Sequence, residues 1–246
     1  MILRQFLHSD PVGISYLFGC GGKAAGAVVD PVGDVKTYLR AAEVAGMRIH
    51  YVFDTHIHAD HRSAGRALAQ AAGAEYVLFA ETQVSFPFMG VRDGDVIALG
   101  NVEARVLHTP GHTPEHICLA VTDHTRADEP WFLFTGHTLM VGDLGRTELA
   151  VSAEQGAADL FHSVQRLKEF PDYVEVLPGA YAGSVCGRRL SAKPWSTIGF
   201  ERLHNEAFGI ANEAEFVRFM TGEMPPPLPE AARIRAANSE GAVAVG

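Results

Sequence analysis

The run Thr55-His56-Ile57-His58-Ala59-Asp60-His61 sets three imidazoles and a carboxylate within seven residues, directly after the apolar stretch 49–53. That stretch reads as a strand, so the cluster begins where a strand ends. On an extended or tightly turned segment successive side chains alternate. His56 and His58 are therefore expected to project toward one point while Asp60 and His61 reach a neighbouring one. Imidazole and carboxylate donors converging in this way suit a metal ion, and a cluster this dense predicts a metal site rather than a set of solvated or capping side chains.

Working outward, residues 14–18 and 24–29 read as a hairpin around Gly19-Cys20-Gly21-Gly22, the second strand ending at Asp30-Pro31. Residues 34–45 carry apolar positions at helical spacing, with Asp34 as N-cap and Gly46 as stop. After the cluster, 63–72 is alanine-rich and predicts a helix that Gly73 ends, before a strand at 75–80. Strands then follow at 96–99, 102–107 and 117–122, interrupted by the loop His108-Thr109-Pro110-Gly111-His112-Thr113-Pro114. A further strand, 131–134, runs into Thr135-Gly136-His137, and the amphipathic helix 153–170 precedes a strand at 174–177 that ends at Pro178-Gly179-Ala180. Strands in both halves with helices between them predict an α/β (α+β) fold, a four-layer αββα sandwich. Each histidine-bearing segment follows a strand, so these loops are expected to converge at one sheet edge and form a pocket.

The chain has 246 residues, enough for one core, and one domain is expected over 1–222 with a proline-rich tail, 223–246, as linker or frayed terminus. A formal charge of −9 and the lack of any Lys/Arg run argue against nucleic-acid binding. Apolar runs are too short to cross a bilayer, and Met1 to Phe6 lacks the features of a secretory signal, so cytoplasmic residence is expected. Cys20, Cys118 and Cys186 are too few and scattered for a disulfide framework, and each reads as a buried small hydrophobe. His116 lies four residues after His112, but Pro114 denies that spacing any helical meaning, and a role supporting the ligands stays open for it; His8, His50, His108, His124, His162 and His204 read as solvated or capping.

The cluster at 55–61, with Thr-Pro-Gly-His-Thr at 109–113 and Phe-Thr-Gly-His-Thr at 134–138, resembles the metallo-β-lactamase fold superfamily. Gly145-Arg146-Thr147-Glu148 and the Asp30-Pro31 start point within it to the glyoxalase II and persulfide dioxygenase branch. The stretches 182–187 and 196–201 are similar to the metallo-β-lactamase part of rhodanese-fused members. The resemblance implies a first metal site of His56, His58 and His112 and a second beginning with Asp60 and His61. Two positions depart from the pattern: His137 stands where relatives supply a carboxylate that bridges both metals, and Ala180 where they supply the second site's last histidine. Adjacent dications repel, and a neutral imidazole does not offset that as a carboxylate does. One divalent metal per chain is therefore expected.

That metal reads as Fe(II) or Zn(II). In the persulfide dioxygenases the matching iron ligands fall at His56, His112 and His137, which would turn a two-histidine, one-carboxylate face into a three-histidine face. The competing zinc site is His56, His58 and His112, with bound water brought to a pKa of about 7. Asp60 would orient or deprotonate that water, and His61 or His137 would assist. Arg146 and Thr113 match positions that hold the glutathione part of the substrate, and Tyr181 stands beside the missing histidine. Asp143 reads as a turn-stabilising residue. The function expected is a mononuclear metal enzyme acting on a small-molecule thiol, persulfide or thioester, most like an iron persulfide dioxygenase. A zinc hydrolase and a non-catalytic relative are the alternatives. The resemblance also implies a homodimer and a separately encoded rhodanese partner.

Overall fold

The computed structural model describes residues 1–149, 151–222, 226 and 229–240. The first sheet runs in chain order: β1 (Ile2–Ser9), β2 (Val12–Cys20), β3 (Ala25–Val29), β4 (Arg48–Phe53), β5 (Glu75–Phe79) and β6 (Met89–Val91). β1 to β3 are antiparallel and β3 to β6 parallel. Parallel neighbours need crossovers, and helices supply two of them: α1 (Val35–Val44) between β3 and β4, and α2 (Gly65–Ala72) between β4 and β5. Asp34 caps α1 by accepting from the Lys36 amide at 2.9 Å, and Gly73 ends α2 in the left-handed region at φ 63°.

The second half contributes β7 (Val96–Leu99), β8 (Val102–His108), β9 (Ile117–Asp123) and β10 (Phe132–Gly136). A ribbon of β11 (Leu139–Met140) and β12 (Asp143–Leu144), the long helix α3 (Ala153–Lys168), β13 (Glu175–Pro178) and β14 (Ser196–Thr197) follow. The second sheet is ordered β14-β13-β10-β9-β8-β7, antiparallel except for the β10–β13 pair. Helices α4 (Ile198–His204), α5 (Glu206–Gly209), α6 (Glu213–Gly222) and α7 (Ala231–Ser239) complete the chain.

Alternation along the strands decides the layering. In β2, Ile14, Tyr16 and Phe18 enter a core between the sheets with Phe53, Val106, Leu119 and Phe134, while Leu17 faces the other way toward Tyr38 of α1 and Leu68 of α2. The second sheet's outer face, through Leu107, Cys118, Leu133 and Val176, is covered by Leu160 and Val164 of α3 with Phe208 and Phe216. The result is the αββα sandwich the sequence predicts. Asp30, the 54–61 segment, the 109–116 loop and His137 follow β3, β4, β8 and β10 respectively, and so meet at one edge of the sandwich.

Several elements exceed the sequence reading: β1, β6, β11, β12 and β14 are short or edge strands, and α4 to α7 carry weak apolar periodicity. The tail requires a correction. Within 223–246, residues 223–225, 227–228 and 241–246 lie outside the described residues, but α7 is a helix rather than a linker. Polar contacts hold it: Arg235 Nη1 donates to the Ile57 carbonyl at 2.6 Å, and Asn238 Nδ2 donates to the carbonyls of His58 and His61, each at 2.9 Å. The boundary at 222 therefore leaves out a helix bonded to the histidine cluster. Among the described residues no helix is long and apolar enough to cross a membrane.

Candidate metal centre

Asp30 closes β3 in the left-handed region, at φ 48°, which a non-glycine residue adopts only when its surroundings hold it there. Its carboxylate accepts from the Thr55 amide at 2.7 Å and the Thr55 hydroxyl at 2.9 Å, and lies 3.2 Å from His58 Nε2. Having donated to Asp30, the Thr55 hydroxyl accepts from His56 Nδ1 at 3.0 Å, which leaves the His56 Nε2 lone pair outward. His112 is fixed in the same sense, its Nδ1 donating to the Arg146 carbonyl at 2.8 Å. Gly145 permits that approach: a Cβ there would lie 2.2 Å from the His137 carbonyl oxygen and 2.9 Å from His112 Nδ1. The His137 amide donates to His116 Nε2 at 3.1 Å, so the His116 Nδ1–H serves the hydroxyls of Thr109 and Thr138. His116 also stacks on His56, with ring centroids 5.0 Å apart.

These supports bring the ligand atoms of His56, His112 and His137 within 4.8 Å of one another. His58 groups instead with Asp60 and His61, and with Asp30 and Asp54. Its ring lies beside that of His56, centroids 4.2 Å apart, but Asp30 holds Nε2 and leaves Nδ1 3.6 Å from Asp60 Oδ1. The sequence expectation that His56 and His58 share one point is thus corrected, with Asp30 as the cause. His56 Nε2, His58 Nδ1, both Asp60 oxygens, both His61 nitrogens and His137 Nε2 are buried without a hydrogen-bond partner among the described residues. Each such atom costs about 1–3 kcal/mol, so a convergent set of them fits a cation that would satisfy them together. Burial, reinforced by neighbouring imidazoles, holds His56 and His112 well below the ordinary histidine range. Burial brings His137 down to about 4 against the pull of Asp60. Asp60 is held well below the carboxylate range, since His61 and His137 outweigh its burial, and His58 is raised well above the histidine range because Asp30 outweighs burial.

The sequence profile of the Metallo-beta-lactamase superfamily matches residues 12–179. The chain belongs to the metallo-beta-lactamase superfamily. The hydroxyacylglutathione hydrolase of Rhodospirillum rubrum is 33% identical over 67% of this chain and 60% of its own length. The chain spans between 52% and 64% of the length of the first hydroxyacylglutathione hydrolases it matches. Persulfide dioxygenase ETHE1, mitochondrial, of Homo sapiens is 28% identical over 94% of this chain and 84% of its own. Among solved structures, a metallo-beta-lactamase from Staphylococcus aureus subsp. aureus COL superposes with a TM-score of 0.92 at 36% identity, over 98% of this chain and 72% of that one. ETHE1 from Myxococcus xanthus gives 0.81 at 29%, over 97% and 100%.

Thr113 is buried with its hydroxyl without a hydrogen-bond partner among the described residues. Arg146 is buried, its guanidinium donating to Glu148 and to the Val185 carbonyl. Tyr181 packs at the margin of the inter-sheet core and donates its hydroxyl to the His8 carbonyl at 2.9 Å. Asp143 accepts from the amides of Arg188 and Arg189 and from the Arg188 guanidinium, so it stabilises a turn. Sequence reasoning left a supporting role open for His116 and missed the roles of Asp30, Glu115, Arg235 and Asn238. A carboxylate at a strand end signals Asp30, and Glu115 stands beside the 109–113 motif; nothing in the sequence signals Arg235 or Asn238.

Proposed function

We propose that the chain is a metal-dependent enzyme acting on a sulfur-containing small molecule, a persulfide dioxygenase in which His137 takes the position of an aspartate ligand. The observation that carries this reading is the approach of His56, His112 and His137 ligand atoms within 4.8 Å, the set that the iron reading requires. The match to a persulfide dioxygenase over most of both chains supports it further. Held by these three imidazoles, a ferrous ion would supply open positions at which a sulfur anion and dioxygen meet. The transformation joins R–S–SH, dioxygen and water to give R–SH, sulfite and two protons, the terminal sulfur being oxidised and dioxygen reduced.

The protein's own groups bind and orient the substrate. Asp60, held ionised, is the proposed acceptor of a hydrogen bond that orients the incoming persulfide, with His61 beside it, Nδ1 3.1 Å from Asp60 Oδ1. The neutral His137 leaves its lone pair free for the ion. Thr113 and Arg146, the latter shared with Glu148, are the proposed contacts to a glutathione-like carboxylate, with Tyr181 as a further proposed contact. A separately encoded rhodanese, a homodimer and cytoplasmic residence belong to the same proposal.

The second reading, a zinc hydrolase of a thioester or lactone, is favoured by the 33% to 35% identity to hydroxyacylglutathione hydrolases. Metal analysis of protein purified without oxygen or added metal, paired with two assays, separates the two. Iron with oxygen-dependent sulfite release from glutathione persulfide is the expected result. Zinc with thioester cleavage and no oxygen uptake overturns it in favour of hydrolysis, and near-zero metal with no turnover overturns both.

A further inference from the structure

The turn after β5, the loop between β8 and β9, and helix α7 enclose a cavity of about 450 Å³. Phe79, Glu81, Thr82, Glu115, Leu149 and Arg235 line it, and among the described residues neither Asp60 nor any histidine does. Ile57 is also in the wall, flanked in the chain by His56 and His58, so the cavity backs onto the histidine cluster without being part of it. Glu115 and Thr82 keep only 7% exposure each, and the Thr82 hydroxyl is buried without a hydrogen-bond partner among the described residues. A buried hydroxyl left in that state costs stability, which a ligand that donates to it would return. Arg235 reaches Glu115 and the Ile57 carbonyl through its two Nη atoms, which leaves its Nε–H without a bond to any described residue. Glu81 is exposed and meets Arg92 through one oxygen at 3.3 Å, so its other oxygen is open to a ligand.

We propose that this cavity binds an α-amino-acid head, ammonium and carboxylate together. Glu115 and Arg235 neutralise each other across 2.9 Å, so Glu81 leaves the lining with one negative charge in excess. That balance favours a ligand bearing an ammonium and repels one bearing several phosphates. The ammonium donates to Glu81 and to the Thr82 hydroxyl, while the ligand's carboxylate accepts from Arg235 Nε–H. Phe79 and Leu149 give apolar surface to the stem that follows the head. The same chemistry is carried by a free amino acid and by the γ-glutamyl end of a glutathione-like thiol. In the second case the cavity holds the far end of a substrate whose other carboxylate is the one assigned to Thr113 and Arg146, and only that case rests on the proposed enzymatic reading.

The test reads binding rather than turnover or metal identity, so the cavity and the enzymatic reading can fail separately. The full chain with its own metal complement is titrated in a calorimeter with L-methionine and, separately, with S-methylglutathione, neither of which carries a persulfide or a thioester. At least one is expected to bind at a single site per chain and to lose that binding when its amine is acetylated. Glu81→Gln removes a charge from an exposed side chain, so the fold is kept, and it is expected to weaken binding about tenfold or more, the scale of a lost hydrogen bond to a charged group. Glu206→Gln, an equally exposed carboxylate outside the cavity, is expected to bind as the wild type does. Methionine binding assigns the cavity to a free amino acid, and binding of S-methylglutathione alone assigns it to the far end of a glutathione-like substrate. Binding of neither probe, or binding of equal strength in Glu81→Gln or after acetylation, overturns the proposal.

Discussion

Asp30 shows how a residue that offers nothing directly to the three-histidine group can still set its geometry. One carboxylate holds the Thr55 amide and hydroxyl, through Thr55 it fixes the tautomer of His56, and it turns His58 away toward Asp60. Asp30→Asn keeps the size and removes the charge. Groups that orient metal ligands typically contribute 10–100-fold in affinity, so about that loss of metal affinity is expected in competition with a chromogenic chelator. Unchanged affinity would mean that His56 is oriented by something else. His137→Asp tests the ligand set itself, because it returns a carboxylate beside Asp60 and His112. A change in metal identity or metal count by plasma mass spectrometry is expected. If neither metal content nor activity changes, His137 does not belong to the ligand set.

Helix α7 carries the same lesson at longer range. Arg235 pairs with Glu115, whose other role is to accept from the Ile57 amide at 3.0 Å inside the histidine cluster, so the helix and the 109–116 loop brace the segment 57–61 from one side. Arg235→Ala leaves the nearly buried Glu115 carboxylate short of its partner. A loss of about 1.5–3 kcal/mol, the range for hydrogen bonds to charged groups, is expected from urea unfolding with an unchanged slope. Adding Glu115→Gln should recover part of it, and a midpoint equal to wild type in Arg235→Ala would mean that the helix does not brace the cluster. None of this was legible in the sequence. Strands β2, β4, β8, β9 and β10 were, because alternation marks a half-buried surface, and so were α1 to α3, from their periodicity and the caps at Asp34 and Gly73. The histidines that converge at the sandwich edge announced themselves by density and by their position after strands. Helix α7 is anchored by Arg235 and Asn238 rather than by an apolar face, and polar anchors leave no period to read; Asp30 and His116 likewise act through contacts that only the folded chain brings together.

The histidines come from both halves of the sandwich, His56 after β4 of the first sheet and His112 and His137 after β8 and β10 of the second. A cation among them therefore ties the two sheets at one edge, and its removal should be felt by the fold. A ligand at about a hundred times its dissociation constant adds about 2.7 kcal/mol. At 2–4 °C per kcal/mol for a chain of this size, chelation is expected to lower Tm by roughly 5–10 °C in calorimetry. The apoprotein should also be acid-sensitive in a definite direction. At the cluster, His56, His112 and His116 are held well below the ordinary value of 6.5, and His137 at about 4, all chiefly by burial, while His58 is raised. Below pH 6.5 the unfolded chain therefore binds more protons than the folded one at four of these five sites, so stability falls as pH drops toward 4. His58 opposes the trend only above about pH 6.5, where the folded chain keeps a proton that the unfolded chain has lost; below that value both states carry it and its contribution is constant. A Tm series on chelated protein between pH 7.5 and 4.5 should slope downward with acid, and refilling the metal should raise the whole curve. A flat apoprotein profile would mean that the buried imidazoles already carry protons in the fold, and then the neutral donor set on which the metal reading depends would be wrong.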